Sequence, residues 1–141
     1  MTDRRHQARE AALQVLYFCE VAGAPVDQAV ETFFAEHLPD AAGDTRRFTA
    51  ELVDGAMAEA TTLDEMVGRH SQHWRLERLT LIDRLILRLA TWELRHRPET
   101  PAAVVLNEAI ELARTFSTDQ SVKFVNGVLD AVRKTVDVQR S

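Results

Sequence analysis

The segment from Leu79 to about Arg95 constrains the fold of this chain more than any other stretch. Its apolar residues do not mark one face of a helix but surround nearly the whole circumference: Leu79, Leu81, Ile82, Leu85, Ile86, Leu87, Leu89, Ala90 and Trp92. A helix that is apolar almost all round is buried among other elements. The segment therefore predicts a central, buried helix.

The rest of the chain has helical spacing of its apolar residues, and no alternating run is long enough to predict a strand. A first helix is predicted from Arg4 to about Val21, ended by Gly23. Pro25 and Asp44 can each begin a further helix. The sequence thus predicts an all-α fold in one domain, residues 1–141, with residues 135–141 fraying at the end.

Start signals also divide the second half of the chain. Capping boxes are predicted at Thr80–Asp83 and at Ser117–Gln120, and Thr100 with Pro101 is typical of another helix start. Gly127 lies inside the last predicted helix, where glycine costs roughly 1 kcal/mol relative to alanine. We expect a closely approaching neighbouring helix to be the reason for this glycine.

Several classes of function are disfavoured by composition. No run approaches the ~18 apolar residues of a membrane span, and the N-terminal arginines are not followed by the apolar stretch of a signal peptide. Cys19 is the only cysteine, which fits a cytoplasmic protein, and we expect it to be a small core residue.

Catalytic groups are scattered rather than assembled. The five glycines occur singly, so there is no phosphate-binding loop. His70 and His73 have a spacing that could chelate a metal on a helix, but a clustered third ligand is lacking. Glu93 falls on the apolar side of the central helix, where an anchor between helices is favoured over a catalytic acid. We expect no enzyme activity, no cofactor and no metal.

Charge is divided unevenly along the chain, although the net charge is −5. Residues 1–9 carry three arginines against one acid, and residues 67–97 carry seven arginines against three acids. Between them, residues 10–66 carry two arginines against twelve acids. The two basic segments, rather than the net value, indicate where an anionic partner would bind.

Helical spacing aligns some of these cations. Arg84, Arg88 and Arg95 fall within about 40° of one another on the central helix. Arg5 and Arg9 are four residues apart near the N-terminus, beside Arg4. Such clusters suit a phosphate backbone, although solvated helix faces often have the same pattern.

An aromatic residue follows a cation in the last predicted helix. Lys123 precedes Phe124, and an exposed ring there could stack on an unpaired RNA base. Packing of Phe124 in the core remains equally open.

Three stretches carry a resemblance to a known family. RRHQAREAALQVLY at the N-terminus, RLTLIDRLILRLATWELRHRPETP in the middle and AAVVLNEAIELARTFSTDQSVKFVNGVLDAV near the C-terminus resemble the NusB family, from about Arg4 to Lys134. The resemblance implies about seven helices in two packed bundles. It also implies a non-catalytic factor that binds boxA RNA together with NusE, a small-subunit ribosomal protein. The pair would support antitermination in the transcription elongation complex, notably on ribosomal RNA operons.

Site residues follow from the same resemblance. It implies RNA-binding roles for Arg4, Arg5, Arg9, Arg88, Lys123 and Phe124. It implies contacts with NusE for Tyr17 and Asp83.

The chain also departs from the family pattern. His6 and Gln7 interrupt the N-terminal arginine run, and Ser117 follows Phe116 where the family usually has glycine. Two alternatives stay open beside an RNA-binding factor: a helical protein-interaction module without RNA contact, and a homodimer. A fused RNA methyltransferase is disfavoured, because 141 residues leave no room for a cofactor-binding α/β domain.

Overall fold

The computed structural model describes residues 4–70 and 79–140 of the chain, without the side chain of residue 140. Seven helices occupy these ranges: α1 (Arg4–Ala22), α2 (Val26–His37), α3 (Gly43–Ala58), α4 (Ala60–Arg69), α5 (Leu81–His96), α6 (Ala102–Phe116) and α7 (Asp119–Arg140). The prediction of an all-α fold is confirmed, since the described ranges contain helices and no strands. No helix there is both long and apolar enough to span a membrane.

The helices form two compact units. Unit 1 contains α1 to α3 and ends at Ala58, and unit 2 contains α4 to α7 and begins at Glu59. Each unit is a small helical bundle, in keeping with the two bundles that the family resemblance implies. The assignment of residues 1–141 to a single domain stays a prediction.

Unit 1 is built on close packing of α1 against α3, with α2 contacting both. Ala8, Ala11 and Ala12 are buried on α1, and their small side chains let another helix approach closely. The Thr49 hydroxyl of α3 donates to the Ala8 carbonyl of α1 at 3.2 Å and to the Thr45 carbonyl at 2.9 Å. The bond to Ala8 joins α3 to α1 in the interior of unit 1.

Unit 2 surrounds α5, which packs against α4, α6 and α7. Leu85, Ile86 and Leu87 are three consecutive residues with no exposed surface, so α5 is covered on most of its circumference. The prediction of a central, buried helix is confirmed.

Helix starts agree with the sequence at one position and differ at two. The Thr80 hydroxyl caps α5 by accepting from the Asp83 amide at 3.1 Å, as predicted. The cap of α7 is Thr118, which accepts from the Ser121 amide at 3.1 Å, so the prediction of Ser117 was wrong by one residue. Thr100 makes no cap either, because Pro101 directly precedes α6 without a side-chain cap.

One further expectation is corrected in α7, and another stays a prediction. Helix α7 continues to Arg140 with Val136 buried, and the Thr135 hydroxyl lies 3.0 Å from His70 Nε2, while the fraying expected for residues 135–141 stays a prediction. Gly127 is not approached by any of the seven described helices, because a β-carbon there would have none of their atoms within 4 Å. The buried apolar face of α7 extends to Val136, further than the sequence suggested. Gly127 is exposed and lies outside this face.

The cap at Thr80 gives a first prediction. We expect Thr80→Ala to lower the free energy of unfolding by about 1 kcal/mol, because the Asp83 amide loses its acceptor. Urea unfolding followed by circular dichroism measures the change. Thr100→Ala is the matched control, since the same helix-start pattern forms no cap there. An equal loss in both variants would contradict the assignment of the cap.

Candidate nucleic-acid interface

The N-terminal arginines of α1 differ in their accessibility. Arg4 is exposed and its Nη1 donates to Asp44 Oδ2 at 3.2 Å, which holds the pKa of the Asp44 carboxyl below its ordinary value. Arg5 is also exposed, and its guanidinium carbon lies 4.0 Å from the centroid of the Phe48 ring. Both cations are therefore held loosely at the surface of unit 1.

Arg9, unlike Arg4 and Arg5, does not lie at the surface, and its role in RNA binding stays a prediction. Only 5% of its area is exposed, and its guanidinium carbon is 5.5 Å from the centroid of the Phe48 ring. Phe48 is itself buried, so this cation–π contact belongs to the interior of unit 1. The i, i+4 spacing of Arg5 and Arg9 places both over one ring, but exposes only Arg5.

Arg84, Arg88 and Arg95, the α5 stripe, do share one helix face, but acids of unit 2 meet that face. Arg88 Nε and Nη2 donate to the two Asp64 carboxylate oxygens of α4 at 3.1 and 2.9 Å. Arg84 Nη2 lies 3.9 Å from the same carboxylate, and Arg95 Nη1 lies 3.2 Å from Glu59 Oε1. The stripe is an interhelical set of ion pairs.

Arg88 is the best buried member of the stripe. Its side chain is 5% exposed, and both of its bonds to Asp64 have the forked geometry that binds a carboxylate strongly. A phosphate could reach this guanidinium only by displacing Asp64. The RNA-binding role that the resemblance implied for Arg88 is therefore at odds with its surroundings, since a buried guanidinium needs its partner in the fold.

The pair in α7 is more accessible. Lys123 is exposed and has no acidic partner within the described ranges. Phe124 is half-buried and lines a cavity of about 240 Å³. The other residues around this cavity come from the start of α5 and the start of α7: Leu79, Thr80, Asp83, Thr118, Gln120 and Ser121. Phe124 thus lies at a concave surface of unit 2 and is next in sequence to an exposed cation.

Asp83 lies deeper than its predicted role in NusE binding requires. It is 4% exposed, and its carboxylate accepts from the Ser117 hydroxyl at 2.6 Å and the Ser121 hydroxyl at 2.8 Å. These bonds tie the first turn of α5 to the turn between α6 and α7. Asp83 is thus a structural acceptor, and its carboxylate is already occupied within the chain. The unusual Ser117 after Phe116 supplies one of its two donors.

Tyr17, in contrast, is open to a partner. It belongs to an exposed apolar patch on α1 formed by Tyr17, Phe18 and Val21, which are 42%, 52% and 62% exposed. Clustered exposed apolar residues indicate a protein interaction site. Phe18 and Val21 were not singled out from the sequence. The signal was their position around α1, where Tyr17 and Val21 lie about 160° from Cys19 and Phe18 about 100°.

Glu93 and Cys19, two further residues whose chemistry was considered from the sequence, are buried. Glu93 is 2% exposed on α5, as expected for an anchor. No three His, Cys, Asp or Glu side chains come together as a metal site in residues 4–70 and 79–140, and His73 lies outside the described residues. Cys19 is buried, and burial, followed by the nearby Glu20 and Asp54 carboxylates, raises the pKa of its thiol.

The pattern of the NusB family matches residues 6–134. The chain belongs to the NusB family. The resemblance found in the sequence is therefore confirmed, and the match covers both units.

Relatives at substantial identity extend over nearly the whole length. The transcription antitermination protein NusB of Solibacter usitatus is 43% identical over 92% of this chain and 88% of that protein. The protein of the same name from Bacillus subtilis is 39% identical, over 95% and 98% of the two chains.

Solved NusB structures have the same fold. A Thermotoga maritima NusB structure aligns with a TM-score of 0.84 at 30% identity, over 95% of this chain and 93% of that one. A crystal structure of antitermination factors NusB and NusE in complex with dsRNA aligns with a TM-score of 0.84 at 27% identity, over 96% and 99%.

The buried pair of Arg88 and Asp64 generates a stability prediction. We expect Arg88→Ala to lower the free energy of unfolding by about 3 kcal/mol, because it leaves a partly buried carboxylate without its main partner. Urea titration measures this. Arg114→Ala is the control, since its pair with Glu111 is exposed and should contribute little. Similar small changes in both variants would show that Arg88 is not a structural cation.

Cys19 gives a reactivity prediction. Because its pKa is raised and its side chain is buried, little thiolate is present at neutral pH and reagents have poor access. We expect iodoacetamide at pH 7.5 to label the native protein at least about tenfold more slowly than the guanidinium-unfolded protein. Mass spectrometry follows the labelling, and equal rates in both states would refute the burial of Cys19.

Proposed function

We propose that this chain is a non-catalytic, RNA-binding transcription antitermination factor that binds boxA RNA of nascent transcripts together with NusE. One observation carries the proposal: nearly the whole chain shares its fold with antitermination factor structures, including one with NusE and dsRNA. In this role the protein acts in the cytoplasm with the transcription elongation complex and supports processive transcription, especially of ribosomal RNA operons.

The accessible residues suggest which side chains contact the phosphates of the RNA and which stack on its bases. Arg4 and Arg5 on unit 1, and Lys123 on unit 2, are exposed cations suited to phosphate contacts. Phe124 offers a ring beside a cavity, which suits stacking on an unpaired base. Arg9 and Arg88 support this interface from inside, since both are buried and paired with groups of the chain.

NusE would bind the exposed apolar patch of Tyr17, Phe18 and Val21. The patch belongs to the acidic part of the chain, where residues 10–66 carry twelve acids against two arginines. Glu20 is exposed in the same stretch of α1, and an apolar patch with an acidic neighbour suits a basic protein. Asp83 contributes by holding α5 and α7 together rather than by direct contact.

A titration of fluorescent boxA RNA, with and without NusE at two salt concentrations, tests this function. We expect Arg5→Ala and Lys123→Ala each to weaken binding and to reduce the salt slope by about 0.7, the value of one phosphate contact to single-stranded RNA. Phe124→Leu should weaken binding about tenfold without changing the slope, because it removes stacking but no charge.

Arg114→Ala is the matched control, since it removes an exposed arginine that is paired on α6. Its affinity and salt slope should equal those of the unmodified protein. Absence of RNA binding both with and without NusE would refute the proposed function.

A protein-interaction module without RNA contact is the second candidate, and the exposed apolar patch on α1 favours it. Gel filtration with NusE after RNase treatment separates the two. Co-elution that Phe18→Ser abolishes, combined with no boxA binding at either salt concentration, would establish this second candidate.

A further inference from the structure

Gly127 is an unexplained residue in α7. It lies in the interior of a 22-residue helix and is exposed. Among residues 4–70 and 79–140, nothing lies within 4 Å of a β-carbon built at this position, so the packing of the described residues does not require glycine. Glycine also weakens a helix interior relative to alanine. The described part of the chain therefore gives no structural reason for this glycine.

Its position on α7 relates Gly127 to the two residues proposed to contact RNA. At ~100° per residue, Lys123 lies about 40° to one side of Gly127 and Phe124 about 60° to the other. Both are within about 6 Å along the helix axis. On the next turn, the small Ala131 lies about 40° from Gly127 on the side of Phe124, and Asp130, which pairs with Arg133 and Lys134, lies about 60° away on the side of Lys123. Gly127 thus leaves a short stretch of backbone without a side chain between the Lys123 ammonium group, which has no acidic partner among the described residues, and the Phe124 ring.

We propose that Gly127 lets the ribose–phosphate backbone of single-stranded RNA lie directly against α7, with a phosphate on Lys123 while the adjoining base stacks on Phe124. This inference rests on the proposed RNA-binding function. The sequence had suggested that a neighbouring helix approaches Gly127 closely, and in this proposal RNA takes that place.

The need for glycine follows from the unequal flexibility of the two neighbours. A lysine has a long side chain that can follow a displaced phosphate. The Phe124 ring is half-buried beside the cavity and cannot move outward in the same way. A side chain at position 127 would hold the ribose away from the helix, so stacking on Phe124 would be lost before the contact with Lys123.

Two variants test the proposal in the full-length protein with the labelled boxA RNA. Gly127→Ala should weaken binding about threefold and Gly127→Gln about tenfold, because added bulk progressively disturbs one stacked base. The salt slope should not change in either variant, since no charge is removed. Gly127→Ala should also raise Tm by about 4 °C, because alanine is the better helix former.

Ala103→Gln is the matched control, because it adds the same bulk to a small, exposed position of α6 in the same unit. Its RNA affinity should equal that of the unmodified protein. A stabilised Gly127→Ala protein that binds RNA with unchanged affinity would overturn the inference. A lower Tm would also overturn it, since it would show that the fold itself requires glycine. If the unmodified protein binds no RNA, the proposed function fails instead.

Discussion

The burial of α5 is the constraint on which unit 2 depends. A helix covered by three others removes its polar groups from water, and each of them must then find a partner within the protein. Asp83 at its first turn is satisfied by two serine hydroxyls, and Arg88 near its middle by the two oxygens of Asp64. These bonds join α5 to α4 on one side and to the start of α7 on the other.

The same constraint decides which charges remain for a ligand. The basic residues of the α5 stripe form ion pairs with Asp64 and Glu59, because helix packing brings those acids against them. Lys123 is exposed on α7 and forms no such pair with any residue that the structure describes. In unit 1, stacking on Phe48 buries Arg9, while Arg5 keeps its exposure. Basic segments of the chain are thus a poor measure of basic surface.

Much of the fold could be predicted from local patterns. The all-apolar segment predicted the central helix, Gly23 was expected to end α1 and has a φ of 68°, and Thr80 caps α5. These features depend on residues within a turn or two of one another. The cap of α7 was misplaced by one residue, because Ser117 and Thr118 are both good caps. Only the position of Asp83 removes Ser117 from that role.

The candidate interface was predicted less completely, and the reason is geometric. The sequence gives the angle of a side chain around its own helix, so it placed Arg84, Arg88 and Arg95 on one face. It does not give what lies opposite that face, and the structure has acids there. Phe18 and Val21 were not predicted, because the sequence does not show which apolar side chains the packing of the helices leaves exposed.

By itself, the sequence determined the helical class and the family, since these depend on local periodicity and on motifs within short stretches. Tertiary structure alone decided which residues remain accessible. It buried Arg9, Arg88 and Asp83 and left Tyr17 and Gly127 exposed. The physical reason is that accessibility and ion pairing depend on which helices pack together, and this brings into contact residues that lie far apart in the chain.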